Sequence, residues 1–158
     1  MKNDSSNAPR IEVGMEELAC LMEDVFRQGG TFRFIPAGTS MLPMLREKKD
    51  TVMLQSPGRK TPRKYDVVLY KRTNGQFVLH RIIKIKNGCY TMCGDNQYRT
   101  EPGIEREQIL GVLTSFMRNG KQVSSGSFLY RCYSVIWTKT RFIRRMITGV
   151  FRRVRRLF

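Results

Sequence analysis

From Thr31 to about Val123 the chain is a succession of short apolar runs, FRFI, TVML, DVVLYK, FVLHRIIKI, CYTM, ILGVLTSFM and KQV, broken by Gly, Pro and Asn. Runs of this length, rich in Val, Ile, Phe and Tyr and bounded by turn formers, predict strands. Asn74-Gly75 and Asn87-Gly88 each lie between two such runs. Both residue types tolerate the positive φ that tight hairpin turns demand, so these dipeptides predict antiparallel pairing of the runs they join. This texture confines the region 31–123 to a small, mainly β domain.

The flanks differ. Ile11 to Gln28 places Ile11, Met15, Leu18, Leu21, Met22, Val25 and Phe26 mostly three or four residues apart, with Gly29-Gly30 as a stop, which predicts one amphipathic helix. The chain divides into a polar start and helix (1–30), a β domain (31–123), and a hinge with a basic amphipathic C-terminal helix (124–158). Ser56 to Lys64 reads as a basic, Pro-containing loop, and Ser124 to Ser127 as the hinge. At 158 residues, with 41% hydrophobic and 27% charged, the chain has room for one real core and is not a disordered polymer.

Net charge is +16, from 29 Lys+Arg against 13 Asp+Glu, which predicts attraction to anionic surfaces. Half of that charge lies in the last 21 residues, where eight basic residues meet no acid. At about 100° per residue, Ile143, Ile147, Val150, Val154 and Leu157 share one sector and Arg141, Arg145, Arg152 and Arg156 oppose it. Lys139 to Phe158 is thus expected to lie on an anionic membrane surface. Packing on its own domain and nucleic-acid binding rank behind that reading. The preceding segment, Phe128 to Trp137, is aromatic-rich, as suits an interface. No stretch approaches the roughly 18 apolar residues needed to span a bilayer, and MKNDSSNAPR lacks the apolar run of a secretory signal. The expectation is a cytoplasmic protein, peripheral at the inner membrane face. Cys20, Cys89, Cys93 and Cys132 form no CxxC pair, so the expectation is free, buried thiols, with no metal and no cofactor.

Three segments carry chemistry. In Phe34-Ile-Pro36-Ala-Gly38-Thr-Ser40-Met41-Leu-Pro43 a serine follows a Gly-containing turn at the end of an apolar run, and Pro43 stiffens the backbone beyond it. A serine hydroxyl needs a base within hydrogen-bond reach. The chain holds a single histidine, His80, inside Phe77-Val-Leu-His80-Arg81-Ile-Ile, where a polar ring requires a partner. Downstream, Cys93-Gly94-Asp95-Asn96 continues to Glu101.

A Ser motif, then a strand-borne His, then Gly-Asp-Asn, in that order from about Phe34 to Val112, resembles the signal peptidase I family, in particular its Ser-His branch. The resemblance implies a signal-peptidase/LexA-like β fold and serine endopeptidase activity on leader or signal-type peptides. It makes Ser40 the nucleophile, His80 the general base and Asp95 an orienting acid, with Gly38, Met41 and Pro43 as supporting positions. The branch's second acid falls on Glu101, where the side chain is longer. Two Gly-Asp turns of the family become Lys49-Asp50 and Tyr65-Asp66. The substrate is expected to pair as an extended strand beside Phe32 to Ala37, and the Ser40 backbone N–H to face the oxyanion. A repressor of the LexA kind would need a DNA-binding domain, for which one helix is too little. A non-catalytic peptide-binding or membrane-surface module of the same fold is the alternative.

Overall fold

A computed structural model describes residues 15–58 and 61–146. The chain is mainly β, an eight-stranded antiparallel sheet flanked by helices at both ends. Helix α1 runs Met15–Arg27, and strands β1 (Phe32–Phe34), β2 (Thr51–Gln55), β3 (Val67–Lys71), β4 (Phe77–Lys86) and β5 (Cys89–Cys93) follow. Then come β6 (Glu101–Ile104), a 3-10 turn (Arg106–Gln108), β7 (Ile109–Arg118), β8 (Lys121–Ser124) and helix α2 (Phe128–Lys139). The sheet order is β1-β2-β7-β3-β4-β5-β6, with β8 also paired to β7.

The hairpin dipeptides behave as their chemistry requires. Asn87 and Gly88 have φ of 50° and 78°, and Gly75 has φ of 85°. A third pair, Asn119-Gly120, has φ of 50° and 76° and joins β7 to β8. Strand β6 is one that composition hides, since its EPGI sequence carries both residues that ordinarily break strands.

Strand β3 is buried on both faces. Val67 and Leu69 belong to one hydrophobic cluster with Met22 of α1, Met41, Leu45, Val52 and Tyr130 of α2. Val68 and Tyr70 belong to a second with Ile82, Tyr90, Met92, Ile104 and Ile109. Alternation along the strand thus joins two cores through one central element.

The segment after β8 is no free hinge. Ser125 N–H donates to Thr114 O at 2.8 Å, and the Ser127 hydroxyl donates to Ser124 O at 2.8 Å while capping Tyr130 N. Helix α2 therefore starts at Phe128, inside the stretch expected only to be aromatic-rich, and buries Tyr130 and Ser134 against the sheet. After a turn at Thr140, residues 141–146 form a further helical piece. Ile11, and Ile147 to Phe158 of the expected tail, lie outside the described residues.

Candidate active site

Ser40 occupies a bend entered through Gly38, whose φ of 85° is one that L side chains rarely adopt. Met41, Met44 and Leu45, immediately after, are buried in the core, so the bend is anchored on one side while Ser40 stays partly exposed. Pro43 is exposed.

The Gly94-Asp95-Asn96 turn docks on this bend. Asn96 N–H donates to Ser40 O at 2.8 Å and its side-chain amide donates to Thr39 O at 3.2 Å. A Cβ placed on Gly94 would lie 2.6 Å from Ser40 O and 3.1 Å from His80 Nε2. Ser40 and the imidazole thus flank one glycine, and only a residue without a side chain leaves room for both.

His80 is buried on β4, and the β3/β4 register places it diagonally beside Tyr70 on the same face. The Tyr70 hydroxyl lies 3.3 Å from His80 Nδ1 and donates to Glu101 in a short hydrogen bond. A phenol has one proton to donate, and here it is donated to Glu101. The Tyr70 oxygen can therefore only accept from His80, which puts the ring proton on Nδ1 and leaves Nε2, the nitrogen that faces Gly94, unprotonated. Arg72 completes the chain: its Nε pairs with Glu101 Oε1, and its Nη2 donates to Oε2 at 2.9 Å.

Burial holds the His80 pKa well below the ordinary imidazole value, at about 4; the Arg72 charge acts in the same sense, while Glu101 and Asp95 pull upward. Burial raises the Tyr70 pKa, with the Glu101 hydrogen bond and charge adding to it, so the phenol keeps its proton. Burial alone would raise the Glu101 pKa, but the hydrogen bonds from Arg72 and Tyr70 outweigh it and hold the carboxyl low.

Asp95 is placed differently from the role its motif implies. Arg81 Nε donates to its Oδ1 at 2.8 Å and Nη2 to its Oδ2 at 2.7 Å, in an almost fully buried pair. Successive side chains of β4 point to opposite faces, so the carboxylate that grips Arg81 acts on His80 through its charge, its hydrogen bonds being spent on Arg81. The same guanidinium donates to Tyr65 O and to Ser134 Oγ of α2. Tyr133 O–H reaches Asp95 Oδ2 at 3.4 Å, and Trp137 Nε1–H donates to Asp95 O at 2.9 Å. Asp95 thus ties the turn to α2, and Glu101 is the acid connected to the histidine.

The two altered Gly-Asp turns also resolve. Tyr65 holds a φ of 80° without being glycine, with its N–H donating to Ile82 O and its carbonyl accepting from Arg81. Asp50 is fully buried and receives hydrogen bonds from Arg46 and Arg118, which outweigh burial and lower its pKa.

Two hollows adjoin the site. A cavity of about 120 Å3 lies between residues 36–38 and 77–79, with Ser40, Met41 and Leu45 in its wall. His80 also borders a depression of about 670 Å3 lined by Arg72, Asn74 and residues 97–102. Residues 77–80 of β4 pair with β3 on one side, while β5 joins only from Arg81 onward. Together with β1, at the end of the sheet order, they frame the cleft with backbone able to receive a strand. Tyr70 and Arg72 were not singled out from sequence, nor residues 77–79 as a pairing edge; their part depends on strand register.

Neither a scan against protein-family models nor a search of curated proteins gives a match to this chain. The residues themselves carry the functional reading.

Proposed function

We propose that the chain is a serine endopeptidase of the signal peptidase I type, cleaving a leader or signal-type peptide by a Ser-His mechanism. One observation supports this above the rest: the chain's single imidazole turns Nε2 to the same glycine that the Ser40 carbonyl abuts, while Nδ1 meets a phenol whose proton is donated to Glu101. In this reading neutral His80 takes the Ser40 proton as Oγ attacks the peptide carbonyl, then passes it to the departing amine. Water attacks the acyl-enzyme, giving one proton to His80, which returns it to Ser40 as the acid product leaves. The Ser40 backbone N–H is a donor for the oxyanion. Tyr70, Glu101 and Arg72 are positioning residues. The 120 Å3 cavity has the volume of about four waters, which suits a small side chain before the scissile bond. No helix among the described residues is long and apolar enough to cross a membrane; a place on the cytoplasmic face of a membrane belongs to this proposal.

A serine-reactive fluorophosphonate is expected to add once to the full chain, with the adduct mapped to Ser40 by peptide mass, and to leave Ser40→Ala unmodified. Absence of an adduct together with absence of peptide cleavage would favour the non-catalytic peptide-binding alternative.

The pH dependence follows from His80. Its acid form is inactive as a base, so kcat/KM should fall on the acid side with a midpoint near pH 4. Glu101→Gln removes a charge that raises the His80 pKa, and the limb should move to lower pH. Tyr70→Phe strands the Nδ1 proton, a loss worth about 1–3 kcal/mol or roughly 5- to 150-fold in kcat. A limb that stays put in Glu101→Gln would disconnect the acid from the base. The same depression affects folding: the unfolded chain takes up this proton near 6.5 and the folded chain only near 4, so stability drops as pH falls through that interval.

A further inference from the structure

The outward face of α2 and the helical residues after it is apolar. Phe128, Leu129, Ile136, Phe142, Ile143 and Met146 are 57–79% exposed. Thr140 N–H donates to Ile136 O at 2.9 Å and Arg144 N–H to Thr140 O at 3.0 Å. Helix α2 closes at Thr140, whose φ of −80° and ψ of 1° lie off the helical values, and residues 141–146 form a second helical piece. At about 100° per residue Phe128, Leu129 and Ile136 share a sector of about 100° on α2, opposite the buried Tyr130 and Ser134, and Phe142, Ile143 and Met146 share one of about 100° on the second piece. Together they form a row of exposed apolar groups.

Lys139 is exposed on that row and Arg131 beside it, and residues 108–158 contain no acid at all. An exposed apolar row that carries Lys139, in a segment without acids, lacks complementarity to a second copy of a +16 chain, and its aliphatic members offer nothing to a phosphate backbone. It matches an anionic lipid surface, where apolar side chains enter the headgroup boundary and cations meet the lipid charge. We infer that the row from Phe128 to Met146 is a docking face for anionic membranes.

This goes beyond the peptidase reading and fixes where the site would sit. Both helical pieces also hold the turn that docks on Ser40: Trp137 Nε1–H and Arg144 Nη1–H both donate to Asp95 O, with the Arg144 guanidinium 3.7 Å above the Trp137 ring. The turn in turn bonds Ser40. One helix diameter, about 10 Å, therefore separates the lipid boundary from the turn that carries the site. Such a seat suits a substrate whose own apolar segment lies in the bilayer.

The test is vesicle flotation of the full chain, a readout independent of cleavage. Vesicles of phosphatidylcholine with a third phosphatidylglycerol are expected to carry the wild type, and pure phosphatidylcholine vesicles to carry at least tenfold less. Leu129→Ser/Ile136→Ser/Phe142→Ser alters only exposed side chains and keeps every charge, including the basic C-terminal residues. It should retain its circular dichroism and lose about 100-fold in partitioning, from apolar burial at three sites. Unchanged partitioning of this variant would overturn the docking face, assigning attraction to charge elsewhere. Reversible dimerisation of the wild type without lipid, abolished in the variant, would also overturn it, since the row would then be a contact between copies.

Discussion

Ser40→Ala and His80→Ala should each lower kcat/KM on a well-cleaved peptide by about 10⁴-fold or more, and the double variant should be no worse than either single one. Non-additivity is the sharper half of this expectation. A serine and a base that act on one proton form a unit, so removing the second member costs nothing once the first is gone. Independent losses that multiply would mean that His80, buried among Tyr70 and Val68, supports the fold while another group serves Ser40. Because the ring is nearly inaccessible, unfolding curves should accompany the kinetics, and His80→Gln offers a polar replacement of similar bulk.

The largest effect on stability should come from the pair that the Gly-Asp-Asn motif hides. Arg81→Ala or Asp95→Ala leaves one buried charge without its partner, at a cost of about 3–5 kcal/mol, or about 10–20 °C in Tm for a domain of this size. Arg81→Met combined with Asp95→Ala removes both charges and should regain a substantial part of that loss. Asp95→Asn decides between the two roles of the residue. A large drop in Tm with kcat preserved in the remaining folded protein fits the ion pair with Arg81. A loss in kcat with Tm intact would restore the carboxylate to the chemistry.

The contrast between Asp95 and Glu101 shows what can be read in a sequence of this kind. Strands such as Val67–Lys71 and Phe77–Lys86 are written locally, in β-branched and aromatic runs closed by Asn-Gly, and their pairing follows from adjacency. The proximity of Ser40, His80 and Gly94 was legible as an order of motifs. Which acid reaches the imidazole was not, because it depends on a β3/β4 register that sets Tyr70 diagonal to His80, and on the side of β4 each residue faces. Strand β6 escaped because Pro102 and Gly103 belong ordinarily to turns. A C-terminal helix was expected, but its start at Phe128 escaped because the buried positions there include Tyr130 and Ser134 while large apolar groups lie outside, the reverse of the pattern by which a packed helix is recognised.

The brevity of β1 has a consequence for self-association. Open sheets invite polymerisation through their rims, and here the rims are poor templates: β1 spans three residues with Arg33 exposed at its centre, β6 contains Pro102, and β8 presents Lys121 and Gln122. A stray strand from another molecule would gain too few ladder bonds to remain. Residence beside Ser40 would then require a side chain that also fills the neighbouring hollow, so the weakness that protects against fibres doubles as a filter on which chains stay.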